Sequence, residues 1–356
     1  MSAYTAAVIA VGAQGRVHLN GYKQRHDVTI VAVADIDREH AETVATEFGA
    51  SAYSGYRQLL DDESVDILSV CTPPMLHREI VIHAVDSGVR AIHCEKPMAL
   101  SYGEAKEMHD YARDHGVLLT INHQRRFETL YRDTKAAVDS GAIGDVVSLE
   151  GYCANLFDWG SHILDLLLFF MNDAKPEIVF GQIDVDERRH IYGALAETGS
   201  VTQLHWPNGV NATVFTGRGP HQLAVLGNNG IVLHGTRGRV EIAGGNALVR
   251  GFDGSSQSIG TRVHEKFRVE MGGVDATIIQ GTADAIDDLV MALETGTTPR
   301  LDSSHGLAAA ELIFSTYESS ARRGSVRLPL EVTDNALLRG LEFGYWMPQG
   351  ESFGTY

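Results

Sequence analysis

Ala6-Ala7-Val8-Ile9-Ala10-Val11-Gly12-Ala13-Gln14-Gly15 runs a continuous apolar stretch into a glycine-bearing turn, with helix-period residues directly after it. A strand that ends in a tight turn and feeds a helix is the opening unit of a doubly wound parallel sheet. Outward from it, residues 5–122 repeat the alternation. Thr29–Ala34, Val65–Val70, Arg90–His93 and Val117–Ile121 are apolar without a two-residue period, as strands covered on both faces should be. Charged segments of helical period, such as Asp37–Phe48 and Tyr102–His115, lie between them.

The turn has the spacing G-x-G-x-x-G with Ala10 in the first glycine position. Gly12 lets the backbone approach a pyrophosphate, Gly15 lets the following helix pack on the strand, and the helix N-terminus with Ala13 and Gln14 faces the phosphates. Asp35 closes the second strand at the place where a carboxylate accepts hydrogen bonds from ribose hydroxyls and repels a 2'-phosphate. With Ile36 beside it, Asp35 favours NAD over NADP, whereas Arg38 is the one nearby cation able to take a phosphate or stack on adenine.

Composition narrows the class. A chain of 356 residues is long enough for two domains. With 46 acidic against 29 basic residues and a net charge of -17, it lacks the basic patch that nucleic acid or an anionic membrane requires. Cys71, Cys94 and Cys153 lie in apolar surroundings and form no C-x-x-C pair or zinc spacing, so a reducing cytoplasm and no metal are expected. The N-terminal residues lack a basic, cleavable leader, and no apolar run approaches a membrane span.

In open α/β sheets ligands bind beyond the carboxyl ends of the strands. Two motifs fall there: Cys71-Thr72-Pro73-Pro74 with His77, and Cys94-Glu95-Lys96-Pro97. Cys71, Thr72, Pro73, His77, Glu95 and Lys96 are therefore cofactor candidates, and Lys96 a catalytic one; the plainer reading of Lys96 is a surface lysine in a turn. Further on, Phe157-Asp158-Trp159-Gly160-Ser161-His162-Ile163-Leu164-Asp165 opens a buried helix. Asp158 and His162, four apart, share a helix face, so a carboxylate can orient an imidazole whose other nitrogen moves protons. The plainer reading is that Asp158 caps the helix and His162 is a satisfied core residue.

From Asp145 onward the pattern changes to hairpins. Gly199–Trp206 and Val210–Gly217 flank Pro207-Asn208-Gly209, and Gly227-Asn228-Asn229-Gly230 precedes Ile231–His234. Asp275–Glu294 and His305–Arg323 are amphipathic helices expected to back this sheet and return against the first domain.

Taken in order, the glycine turn, Thr72-Pro73-Pro74 with His77, Glu95-Lys96-Pro97, Asn122-His123-Gln124-Arg125-Arg126-Phe127 and Asp158-x-x-x-His162-x-x-Asp165 resemble the glucose-fructose oxidoreductase, inositol dehydrogenase and rhizopine catabolism (Gfo/Idh/MocA) family. The resemblance implies an N-terminal Rossmann domain at 1–123, an α/β domain with an open, mainly antiparallel sheet at 124–330 that forms oligomer contacts, and a tail at 331–356. It also implies NAD-dependent, or less readily NADP-dependent, hydride transfer at a secondary hydroxyl of a sugar or cyclitol. Lys96, Asp158 and His162 take the catalytic roles, Gln124 joins the cofactor residues, and Arg125 joins those three at the substrate. Alternatives are a glycosidase that oxidises its sugar transiently and a non-catalytic dinucleotide sensor. The sequence departs from the family in a short segment between Val146–Tyr152 and Asp158 and in the absence of a glycine-rich lead into the helix. The aromatic tail, with Phe343, Tyr345, Trp346, Met347, Phe353 and Tyr356, either clamps onto its own subunit or covers the substrate in place of the missing loop.

Overall fold

The computed structural model describes residues 4–185, 189–217, 226–268 and 273–346. In chain order the first elements are β1 (Tyr4–Ile9), α1 (Ala13–Lys23), β2 (Val28–Ala34), α2 (Arg38–Phe48), β3 (Ser51–Tyr53), α3 (Tyr56–Asp62), β4 (Ile67–Val70), α4 (His77–Asp86), β5 (Ala91–Cys94), α5 (Tyr102–Asp114) and β6 (Leu118–Ile121). The six strands pair in parallel in the order β3-β2-β1-β4-β5-β6, with the reversal of strand order beside β1 that creates a binding crevice.

The chain continues through α6 (Thr129–Asp139), β7 (Val146–Cys153), α7 (Trp159–Phe170), β8 (Ile178–Asp184), β9 (Arg189–Ile191), β10 (Ala194–Ala196), β11 (Gly199–His205), β12 (Asn211–Thr216), β13 (Gly230–Gly235), β14 (Gly238–Ala243), β15 (Asn246–Gly251) and β16 (Ser256–Gly260). Last come α8 (Ala276–Thr295), α9 (Ser303–Arg322), β17 (Val326–Arg327) and α10 (Ala336–Glu342). The second large sheet has the order β16-β15-β14-β13-β7-β12-β11-β8-β17, antiparallel throughout except at β7–β12. The β11–β12 hairpin closes at Pro207-Asn208-Gly209, where Gly209 takes φ +87° and the Trp206 N–H donates to the Val210 carbonyl at 2.9 Å. On the buried face of β7, Gly151 has no side chain because α7 leaves no room: a Cβ there would stand 2.5 Å from Ile163.

The chain divides into two compact units, one of residues up to Ala99, 104–129 and 262–307, the other of 100–103, 130–261 and from Ala308 on. This differs from boundaries at 123 and 330. Helix α8, counted by the boundary at 330 with the second domain but expected to return against the first, packs in the first: Ile286, Leu289 and Val290 share one buried cluster with Ala6, Val8, Leu19, Tyr22 and Ile67. Three such side chains contribute roughly 1.5–3 kcal/mol each, enough to fix the helix there. Gly21 on α1 makes the contact possible, since a Cβ at that position would meet Ile286 at 2.6 Å.

The tail folds within the second unit as far as it is described. Arg339 on α10 donates to Glu318 on α9 and to both oxygens of Asp334, and the Trp346 ring lies on Gly340. The tail is thus tied down by Arg339 and Trp346, whereas Phe343 and Tyr345 are 64% and 55% exposed; Met347, Phe353 and Tyr356 lie outside the described residues.

Candidate functional site

The turn after β1 is built around a conformation that its sequence does not favour. Ala10, in the first glycine position, has φ +64°. Gly15 must be glycine, because a Cβ would lie 2.1 Å from the Ala10 carbonyl oxygen. Gly12 differs: its φ is -63° and a Cβ would meet no atom within 4 Å, so its bareness leaves open space over the backbone. Gly12 is the N-cap of α1 yet offers no capping side chain, and the first turn carries no acidic residue. The N–H groups there are left for an outside acceptor.

Val11 is held from both sides. Its N–H donates to Asp35 Oδ2 at 2.9 Å and its carbonyl oxygen lies 3.0 Å from His40 Nε2. Asp35 Oδ1 accepts from the Asp37 N–H, so the carboxylate is oriented while each oxygen keeps a lone pair for further donors. Ile36 is 96% exposed beside it, and Arg38 is exposed and paired with Glu42 at 2.8 Å. Gln14 Oε1 and Thr72 Oγ1 are buried without hydrogen-bond partners. Open space over Gly12, an uncapped helix start and two orphaned polar atoms fit a dinucleotide.

At the ends of β4 and β5, Cys71 is half-buried, Pro73 exposed and Cys94 fully buried, and burial pushes both thiols up. His77 does something other than reach for a ligand. Its ring nitrogens face the Thr72 carbonyl at 2.8 Å and the Met98 carbonyl at 3.2 Å, and burial lowers its pKa, so the ring braces the loops rather than a cofactor. Lys96 is half-buried and its bond to Pro97 is cis. Glu95 points inward: Oε1 faces His18 Nε2 at 3.2 Å and accepts from Asn122 Nδ2 at 2.8 Å, and Oε2 accepts from the Lys96 N–H at 3.1 Å. Burial alone would raise this carboxyl, but the His18 hydrogen bond and charge, the Lys96 charge and the Asn122 amide outweigh it and bring it down to about 2. Gln124 and Arg125 are 4% and 8% exposed in a 3-10 turn, Gln124–Phe127; Gly281 on α8 makes room for Gln124, whose carbonyl oxygen would be 3.0 Å from an added Cβ.

In the second unit the capping reading of Asp158 does not hold. Asp158 occupies the N-cap position of α7 but its side chain makes no cap bond; Asn155 Oδ1 accepts from the Asp158 N–H at 2.7 Å and from the Trp159 N–H at 3.3 Å. With φ -95° and ψ -65° Asp158 already follows the helical path, so its side chain shares a face with His162. Both are buried, at 5% and 4% exposure, with Asp165 at 0%. The Leu156 N–H before the helix donates to Glu197, which also accepts from the Tyr317 hydroxyl at 2.5 Å.

His18, Asn155 and Glu197 were not singled out from sequence, and Asn122 was quoted only as the start of the Asn122–Phe127 motif, without a role. His18 alone left a local signal, lying one helical turn after Gly15. A cavity of about 330 Å³ in the second unit, lined in part by Asp139, Phe170 and Asn172, includes none of the sequence-chosen residues. Among the described residues no group of three or more His, Cys, Asp or Glu side chains is placed to hold a metal, and no helix is long and apolar enough to cross a membrane.

Residues 4–123 match the Gfo/Idh/MocA description "Oxidoreductase family, NAD-binding Rossmann fold", and residues 150–328 match "Oxidoreductase family, C-terminal alpha/beta domain". The chain belongs to this family of NAD-binding oxidoreductases. It is 24% identical over 306 residues to scyllo-inositol 2-dehydrogenase (NAD(+)) of Bacillus subtilis, covering 80% of this chain and 88% of that one. It is 29% identical over 223 residues to 2,7-anhydro-N-acetylneuraminate hydratase of Mediterraneibacter gnavus, covering 62% of this chain and 54% of the relative. Two uncharacterized oxidoreductases, of Schizosaccharomyces pombe and Streptococcus pneumoniae, are matched over only 36% and 38% of their own lengths. A levoglucosan dehydrogenase in complex with NADH shares the fold with a TM-score of 0.77 at 20% identity, over 92% of this chain and 99% of that one.

Proposed function

We propose that this protein is an NAD-dependent dehydrogenase that oxidises a secondary hydroxyl of a sugar or cyclitol. Bound NAD would supply the hydride acceptor, held by the Gly12–Gly15 turn and by Asp35 at the ribose. His162 takes the hydroxyl proton, Asp158 orients its ring and supports the charge it gains, and Lys96 stabilises the developing oxyanion, with Arg125 contributing to substrate binding. The observation that carries this reading is that Asn155 does the capping of α7, which leaves the buried Asp158 carboxylate on the face of His162. Arg38, committed to Glu42, supports NAD over NADP. Three cysteines in no disulfide support a reducing, cytoplasmic setting, and the open nine-stranded sheet a homo-oligomer.

The likeness to a hydratase favours a second reading, since adding water to a sugar leaves no net oxidation. In that case, as in a glycosidase of this type, the sugar hydroxyl is oxidised only transiently and the hydride is returned. Incubation with NAD and a panel of sugars and cyclitols, followed by reduced-nicotinamide absorbance and product analysis, separates the two. Steady NADH formation supports the dehydrogenase; elimination or hydration products without NADH overturn it, and silence with both points to a dinucleotide sensor. Lys96→Met and His162→Ala should each lower kcat at least about a hundredfold with NAD affinity nearly unchanged, and Asp158→Asn about ten- to a hundredfold.

A further inference from the structure

Beneath Lys96 the first unit buries a chain of polar side chains that the proposed chemistry does not use. Tyr22 and His18 come from α1, Ser69 from β4, Glu95 and Asn122 from the ends of β5 and β6, and Thr282 from α8. The Tyr22 hydroxyl lies 2.8 Å from Ser69 Oγ, which lies 2.9 Å from His18 Nδ1; His18 Nε2 faces Glu95 Oε1 at 3.2 Å. Asn122 Nδ2 donates to Glu95 at 2.8 Å and to Thr282 Oγ1 at 3.2 Å. His18, Tyr22 and Ser69 are all 0% exposed.

The ends of this chain fix two of its proton directions. Burial pushes Tyr22 up, so it keeps its proton, and among the described residues its hydroxyl meets only Ser69. Tyr22 therefore donates to Ser69, and His18, with Nδ1 against Ser69 Oγ, presents Nε2–H to a carboxylate that can only accept. Glu95 thus receives His18 Nε2–H and Asn122 Nδ2–H on one oxygen and the Lys96 N–H on the other. A hydrophobic side chain would fill this space at lower cost, since a buried carboxylate is expensive unless its donors are all in place. Its exit toward the main chain is the amide of Lys96.

We propose that Glu95 is a positioning residue for Lys96, anchored through His18 to the helix α1 that starts at the dinucleotide turn. The Glu95 carboxylate fixes the Lys96 backbone from below, which narrows the directions its side chain takes, and an ordered lysine is worth more to catalysis than a mobile one. This rests on the reading that Lys96 acts at the reacting hydroxyl. It also changes the role of Glu95, which sequence placed at the cofactor.

Glu95→Gln tests it, because the amide puts an N–H against one of the three donors. Hydrogen exchange at the Lys96 amide, followed by mass spectrometry or NMR on the full chain without cofactor, should speed up at least about tenfold, while amides within β4 and β5 keep their protection. In the NAD-loaded enzyme kcat should fall about twenty- to a hundredfold with the KM for NAD within about threefold, and Glu95→Gln should cost nothing more in a Lys96→Met background. Unchanged exchange at Lys96, or exchange that rises equally across the whole sheet, overturns the proposal. So does normal turnover in Glu95→Gln when Lys96→Met is dead. If instead Lys96→Met is active while Glu95→Gln still frees the Lys96 amide, the positioning stands and the catalytic reading of Lys96 falls. Should Glu95→Gln not fold, Ser69→Ala, which breaks the chain two bonds further away, decides: exchange at Lys96 rising about threefold supports it, and no change overturns it.

Discussion

At the end of β1 the chain enters α1 through a left-handed Ala10 and a helix start with no capping side chain; at the end of β7 it enters α7 through Asn155, whose amide oxygen caps the Asp158 and Trp159 N–H groups, with Glu197 holding the Leu156 N–H before them. The two strand-to-helix junctions are alike in connection and opposite in finish. A helix start that its own sequence leaves unsatisfied accepts an anion from outside, whereas one that is satisfied internally frees its neighbours for chemistry. The first junction therefore reads as a phosphate cradle and the second as a rigid mount for Asp158 and His162.

The largest expected effect separates the two glycines of the first junction. Gly15→Ala sets a Cβ against the Ala10 carbonyl and should cost about 3 kcal/mol or more in chemical denaturation, while Gly12→Ala, with open space and an ordinary φ, should fold with wild-type stability. The same Gly12→Ala should weaken NAD binding at least about tenfold by titration. Equal stabilities of the two variants, or normal NAD binding in Gly12→Ala, would remove the contrast between packing glycine and cradle glycine.

A third junction, from β6 through the Gln124–Phe127 turn into α6, sharpens the comparison with pH. Burial pushes the Glu128 carboxyl up to about 7, with Arg125 lowering it and Asp275 raising it, and its Oε1 has no hydrogen-bond partner. The folded pKa lies above the unfolded one, so between the ordinary carboxylate range and pH 7 the folded state holds the extra proton. That stability is complete at acid pH and is lost as pH rises through 7. Between pH 5 and 8 it should amount to about 2–3 kcal/mol, and Glu128→Gln should flatten this slope. A wild-type stability that rises over that window would show that Glu128 is solvated after all.

Next in size is the cap itself. Asn155→Ala should cost about 1–2 kcal/mol and lower kcat, since Asp158 is then drawn toward the vacated N–H groups; Asn155→Asp, which still accepts, should recover most of both. Full activity in Asn155→Ala would mean that the placement of Asp158 never depended on Asn155.

What could be read from the sequence divides along the same lines. The doubly wound parallel sheet with five of its six strands, the hairpin at Pro207-Asn208-Gly209, and both long amphipathic helices follow from local periodicity and turn residues, and the structure has them within a residue or two at most ends. The short β3 and α3 went unread because three strand residues carry no period. Helix α8 does return against the first domain as expected, but the boundary at 330 counted it with the second, because an amphipathic stripe states that a face is buried, never against what. His18 and Glu95 are 77 residues apart and Glu197 and Tyr317 are 120 apart, so no local pattern joins them. Asp158 looked like the cap because capping residues are recognised by type at the helix start, and Asn155, three residues earlier, has an equally suitable side chain.

The smallest effect bears on why the first junction carries strain at all. Ala10 at φ +64° costs about 1–2 kcal/mol relative to a right-handed or extended residue, and glycine would relieve this at the expense of a floppier unfolded chain. Ala10→Gly should therefore raise stability by about 0.5–1 kcal/mol, seen as a rise of a few degrees in Tm, with NAD affinity unchanged. At the second junction Ala154 is 1% exposed and has no positive φ, so Ala154→Gly gains nothing from strain and loses packing, and should destabilise by about 1 kcal/mol. The opposite signs are the test. If Ala10→Gly also destabilises, the Ala10 methyl is packed well enough to outweigh its backbone, and alanine in the first glycine position is a stabilising feature of the turn rather than a tolerated substitution.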